Sequence, residues 1–136
     1  MGLLDFFRSS KPRPIEEVAI PKGEHTQVEI VGESFYKDAF KELRTFFGAS
    51  SGSERFVKVE LRLEPGNPYA ADGKAVAVYV QGLMVGHVDA YCARAAFDAI
   101  QAEGGIKTLN GRIYFGDLRE SPPKNSVSIN WTVETK

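Results

Sequence analysis

The sequence predicts a mainly β (α+β) domain, a partly open antiparallel barrel of five or six strands carrying two helices. Three observations point to it. Arg55 to Leu63 alternates strictly, with Val57, Val59, Leu61 and Leu63 on one face and Lys58, Glu60 and Arg62 on the other. That period of two marks a half-buried antiparallel strand. Ala75 to Val80 and Met84 to Val88 are apolar runs separated by Gln81-Gly82, the pattern of a hairpin. Only two stretches, Phe35 to Phe47 and Ala90 to about Ala102, place apolar residues at helical spacing. Short strands with one apolar face bury themselves best by curling round a shared core.

The elements follow in order. Met1 to Arg8 holds a small apolar cluster of Leu3, Leu4, Phe6 and Phe7, and the stretch from Ser9 to Pro14 reads as a linker. Residues 1–24 are therefore expected to be an N-terminal apolar segment with a flexible connection, and residues 25–136 the folded domain. Val28, Ile30 and Val31 open it as a strand, broken at Gly32-Glu33-Ser34. Ser34 is of the right type to cap the first helix, whose inner side would be Ala39, Phe40, Leu43, Phe46 and Phe47. Gly48 to Ser53 is a small-residue loop before the long strand. Asp89 can cap the second helix, with Cys92, Ala95, Ala96, Ala99 and Ile100 inward, and Gly104-Gly105 ends it. Asn110-Gly111 reads as a hairpin-type turn or bulge before Arg112 to Phe115. Ser121 to Asn125 is a proline-marked loop, and Val127, Ile129, Trp131 and Val133 alternate as a closing strand with Trp131 in the core.

Composition narrows the function classes. The chain has 136 residues, 43% hydrophobic and 26% charged, with a net charge of -1. One domain with a real core is expected. A broad nucleic-acid surface would make a domain strongly basic, so only a local pocket for nucleic acid is compatible. The single cysteine, Cys92, precludes an internal disulfide and reads as a small core residue. A reducing, cytoplasmic compartment fits. No run approaches the roughly 18 apolar residues of a membrane span, and Met1 to Arg8 is too short for a signal peptide.

No nucleophile motif, phosphate loop or dinucleotide fingerprint is present. Two histidines, His25 and His87, and one cysteine do not make a zinc site. Glu60, Glu64 and the other carboxylates are scattered, and nothing selects an acid–base pair. The expectation is a non-catalytic protein with no metal and no cofactor.

Binding is better supported. Glu64-Pro65-Gly66-Asn67-Pro68-Tyr69 is a stiff loop between two strands, presenting an amide and a phenol from one bend. Proline fixes φ and lowers the entropy lost when such a loop holds a ligand. Asn67 offers a donor and an acceptor to a sugar or base edge. Phe35, Tyr36, Tyr69, Tyr79, Tyr91, Tyr114 and Trp131 are plentiful aromatics, several of them next to loops, where a ring can stack on a base, and His87 can donate to a phosphate. Each has a plainer role open to it: turn former, packing residue or structural histidine.

At these residues the chain resembles the HIRAN domain family, as a stand-alone member without an attached motor. Three blocks carry the likeness in order: Val31-Gly32-Glu33-Ser34-Phe35-Tyr36; Leu63-Glu64-Pro65-Gly66-Asn67-Pro68-Tyr69 followed by Ala75-Val76-Ala77-Val78; and Val85-Gly86-His87-Val88. The resemblance implies an OB-like barrel, a DNA-repair setting and binding of single-stranded DNA or a free 3′ end. It implies Phe35, Tyr36, Asn67, Tyr69 and His87 as the binding residues. The family's acidic residue after Asn-Pro-Tyr is Ala70 here, and Asp72, two residues on, is positioned to substitute. Ser34 and Asp89 stand where cations are often found. The alternative expectation is a protein-interaction module that has lost nucleic-acid binding, with Met1–Arg8 or the aromatic face meeting a partner. Arg55, Lys58, Arg62 and Lys74 gathered beside Asn67 and Tyr69 would favour DNA, and their dispersal would favour protein.

Overall fold

A computed structural model describes Ile15 and residues 23–135. The expected N-terminal cluster at Met1–Arg8 and the linker from Ser9 to Pro14 lie outside the described residues. Among the described residues eight strands form: β1 Gly23–Gln27, β2 Ile30–Val31, β3 Glu54–Pro65, β4 Lys74–Val80, β5 Leu83–Val88, β6 Ile106–Tyr114, β7 Ser126–Ile129 and β8 Thr132–Thr135. The helices among the described residues are α1, Lys37–Phe47, and α2, Ala90–Ala102, with a 3-10 turn at Glu33–Tyr36 before α1. The fold is mainly β, a nearly closed antiparallel sheet of six strands in barrel form.

Strand order is β2-β5-β4-β3-β6-β7, and β1 pairs with β8 as a separate ribbon. The long strand β3 is the axis of the sheet: its C-terminal half pairs with β4, and Glu54 to Arg62 pair with β6. Val57, Val59 and Leu61 of β3 face inward with Val76, Val78, Val80, Val85 and Ile113. The sheet curls until its edges meet. There the backbone N–H of Val127 on β7 donates to the Glu33 carboxylate beside β2, at 3.2 Å. Gly86 makes a second close approach possible, since a Cβ there would lie 2.7 Å from the Val31 carbonyl.

The helices close the rest of the core. α1 buries Ala39, Phe40 and Leu43. Phe46, expected inside, is 64% exposed, while Phe47 beside it packs against the core with its ring centre 6.4 Å from that of Phe115. α2 packs between β4 and β8, joining the sheet to the ribbon. Its buried side is Cys92, Ala93, Ala96, Phe97 and Ile100. Ala95 and Ala99 are half-buried instead, so the stripe is rotated from the expected one while keeping Cys92, Ala96 and Ile100.

Asp89 caps α2 as its sequence position predicts. One carboxylate oxygen accepts from the Cys92 N–H at 3.2 Å and the other from the Glu29 N–H at 3.1 Å, tying the β1–β2 connection to the helix. Burial pushes the Cys92 thiol up to about 12, with the Asp89 charge adding to it. A thiol of that kind is a packing residue and a poor nucleophile.

Three expectations need correction. Ser34 caps nothing: it lies inside the 3-10 turn, and Tyr36 holds the N-cap position of α1 without a side-chain cap. Asn110-Gly111 is no turn but the middle of β6, both residues paired with β3 and Gly111 also with β7. The closing strand is two strands, broken at Asn130 and Trp131, because β8 leaves the main sheet to pair with β1. Trp131 at that break is half-buried, with the Lys107 ammonium 5.0 Å from its ring.

Candidate functional site

The Asn-Pro-Tyr loop joins β3 to β4 and is held at both ends. Gly66 N–H donates to the Gly73 carbonyl at 3.0 Å, and Ala70 N–H to the Asn67 carbonyl at 3.1 Å. The Asn67 side-chain oxygen accepts from the Tyr69 N–H at 2.8 Å, the turn an asparagine favours. Its amide nitrogen donates to Glu64 Oε1, also at 2.8 Å. Asn67 is only 3% exposed, so both ends of its amide are engaged inside the protein.

Glu64 is the centre of this arrangement. The same Oε1 meets His87 Nε2 at 2.6 Å, and Tyr36 Oη lies 3.5 Å from His87 Nδ1. With the imidazole proton on Nε2, the roles run in one direction: the Tyr36 hydroxyl donates to Nδ1, Nε2–H donates to Glu64, and Asn67 donates to Glu64. His87 and Tyr36 are buried, so three separate parts of the chain converge below the surface: the turn before α1, the end of β3 with its loop, and β5. Burial by itself raises the Glu64 carboxyl. The hydrogen bond from His87, the charge that ring carries when protonated, and the Asn67 amide outweigh that and hold it below its ordinary value.

The other candidates lie outside this network. Phe35, next to Tyr36, is 40% exposed, and Tyr69, two residues after Asn67, is 53% exposed. Asp72 is exposed. It accepts from the Lys74 N–H at 3.0 Å and pairs with Arg94 at 3.3 Å. Tyr69, Asp72, Lys74 and Arg94 share an open groove of about 560 Å³ between the loop and the first turns of α2, which Ile15 also lines.

Of the six residues selected from sequence, Tyr36, Asn67 and His87 thus come together in the interior, Tyr69 and Asp72 meet at the groove, and Phe35 stands on the surface beside Tyr36. Sequence reasoning missed Glu64 and Arg94. Glu64 breaks the polar rhythm of β3 in no visible way. Its only signal is its place at the head of the Pro-Gly-Asn-Pro loop, three residues before Asn67.

The four cations do not gather beside Asn67 and Tyr69, the outcome set out above as favouring a protein partner. Lys74 lies in the groove and pairs with Asp98 at 2.7 Å. Arg62 and Lys58 sit further along β3, bonded to Glu60 and Asn110. Arg55 bonds the Glu54 carbonyl and stays away from the loop. Among the described residues no group of His, Cys, Asp and Glu side chains is arranged to hold a metal ion. No helix among them is long and apolar enough to cross a membrane. Compared with known proteins, the chain matches no family model, no curated protein and no solved structure.

Proposed function

We propose that this protein is a non-catalytic binding module for single-stranded DNA, with a strand end seated at the Asn67–Asp72 loop. One observation carries the reading. Two exposed aromatics, Phe35 and Tyr69, are each anchored within two residues of a buried member of one hydrogen-bonded unit, Tyr36–His87–Glu64–Asn67. A surface aromatic held by a rigid interior loses little entropy on binding, and base stacking on such a ring is worth about 1–3 kcal/mol per base.

In this reading the six residues divide into two roles. Phe35 and Tyr69 stack on bases. Asp72, with Lys74 and Arg94 beside it, faces the terminal sugar and phosphate in a groove large enough for a nucleotide. Tyr36, Asn67 and His87 are positioning residues that fix the loop from below, together with Glu64. The ordered likeness of the three sequence blocks to the HIRAN family supports the same ligand class.

The test is fluorescence anisotropy with short oligonucleotides, free and blocked at the 3′ end, at two salt concentrations. Binding that weakens with salt and with the block supports end recognition. Equal binding to both keeps single-strand binding and rejects the end. No binding at low salt overturns the reading.

A protein-interaction role is the second reading, and one surface favours it. Phe46, at the end of α1, and Leu118 are both more than half exposed, and Leu118 N–H bonds Ser51 in the loop just after α1. Exposed apolar groups mark a protein contact where they form one contiguous patch.

A further inference from the structure

The outward face of β3 carries a second feature. Phe56, Lys58, Glu60, Arg62 and Glu64 alternate with the buried residues and so share that face. Register places Tyr79 of β4 beside Glu60, and Asn110 and Arg112 of β6 beside Lys58 and Phe56. The Arg62 guanidinium lies 4.0 Å from the centre of the Tyr79 ring, and that of Arg112 lies 5.3 Å from the centre of the Phe56 ring. Lys58, between them, bonds the Asn110 side-chain oxygen at 2.7 Å and forms no ion pair among the described residues. Phe56 is 84% exposed in the middle of a polar face, where it adds nothing to the core.

The geometry points to a strand path on this face, running from the Glu64–His87 end of β3 to a base-stacking station at Phe56. It rests on the reading of the protein as a single-strand binder, and it assigns where the rest of the strand goes. The distance from Glu64 to Phe56 is about 27 Å at roughly 3.4 Å per residue. That length suits at least about four nucleotides, the short end of single-strand sites on small barrels.

Lys58, Arg62 and Arg112 on this face are balanced by Glu54, Glu60 and Glu64, so the case for a nucleic-acid strand rests on its flat side groups rather than on net charge. Two rings each carry a guanidinium, which stacks on a base and leaves N–H groups for phosphate. Glu60 and Glu54 pair with these arginines at half-exposed positions, at 3.0 and 3.7 Å. Such pairs are weak and exchange readily for a phosphate. Next to Phe56 lies an open groove of about 540 Å³ lined by Gln27, Asn110, Arg112, Ser128 and Asn130. Its amides and hydroxyl offer donors and acceptors to a base edge, with no carboxylate among them.

The experiment is a length series of fluorescein-labelled oligothymidylate, from two to eight nucleotides, titrated against the full chain. Phe56→Ala and Lys58→Glu are compared with wild type after thermal melts confirm that both fold. Wild-type affinity is expected to rise with length. Both variants are expected to lose about tenfold for the longest oligonucleotide and to bind the dinucleotide as wild type does. Lys58→Glu also lowers the salt slope by about one. Wild-type-like binding by both variants at every length overturns the path and leaves the end site standing. Equal displacement of the long oligonucleotide by an acidic peptide of the same charge overturns the assignment to nucleic acid. Failure of wild type to bind any length overturns both readings together.

Discussion

His87 and Glu64 meet at 2.6 Å across a strand that belongs to neither of them. β5 and β3 are separated by β4, and two strand spacings put their backbones about 10 Å apart. The contact forms because β4 presents only methyl groups beneath it. Ala77 is the register partner of His87, and Ala75 that of Glu64. Both alanines are buried. A longer side chain at either position would stand in the path of the bridge.

Ala77→Leu is therefore expected to separate His87 from Glu64 and to free the loop that Glu64 holds. Overpacking of this kind costs about 1–3 kcal/mol. The specific readout is hydrogen exchange at the Tyr69 amide, whose acceptor is the Asn67 side chain. It should quicken beyond what the loss in global stability explains. If exchange at Tyr69 follows global stability alone, the loop is held without the bridge.

Glu64 predicts a pH dependence. Its carboxyl is held below the ordinary value of 4.5, despite the opposing effect of burial, by His87 and Asn67. A carboxyl lowered on folding contributes stability that is complete above its unfolded value and is lost as pH falls through its folded one. The Glu64 contribution should thus be intact at neutral pH and decay below about 4.5. Glu64→Gln removes the charge and keeps the shape. Urea titrations of both proteins should show wild type the more stable at neutral pH, with the gap closing in acid. A gap that does not change with pH would mean that packing, and not charge, makes Glu64 matter.

Asn67 and Tyr69 are two residues apart and should respond oppositely to truncation. Asn67→Ala deletes an acceptor for Tyr69 N–H and a donor to Glu64, at a cost of about 1–3 kcal/mol in stability. Tyr69→Ala removes an exposed ring and should change stability by no more than about 0.5 kcal/mol. Its effect belongs in the oligonucleotide titration, where one lost stacking partner is worth about 1–3 kcal/mol. If Tyr69→Ala instead unfolds the protein, the ring is a packing residue and the proposed stacking role fails.

Much of the fold was legible because its signals are local. The alternation in β3, the Gln81-Gly82 hairpin and the Asp89 cap each depend on a few neighbouring residues. The site was legible only in part. Asn67, Tyr36 and His87 stood out by type, but that Asn67 and His87 share Glu64, with Tyr36 against His87, is a matter of tertiary register, set by a 3-10 turn and three strands. No spacing in the sequence announces that Ala75 and Ala77 leave room for a bridge. The rotation of the α2 stripe has a similar origin, since β4 and β8 together decide which side of the helix is covered. Asn110-Gly111 failed for the opposite reason: its local signal is strong and tertiary packing overrides it.

That override makes the last prediction. Gly111 sits in β6 between β3 and β7, and a Cβ added there would lie 2.5 Å from Val59 Cγ2 and 2.7 Å from the Ser128 carbonyl oxygen. The strand cannot shift to relieve this, because it is hydrogen-bonded on both sides. Glycine is required here by close approach and not by a turn. Gly111→Ala should lose about 1–3 kcal/mol in a urea titration. Asn110→Ala, which gives up only an exposed contact with Lys58, should stay within about 0.5 kcal/mol. In a turn of the Asn-Gly type, both residues would need positive φ and both substitutions would be costly. A large loss at Gly111 with almost none at Asn110 separates the two explanations, and comparable losses at both would restore the turn.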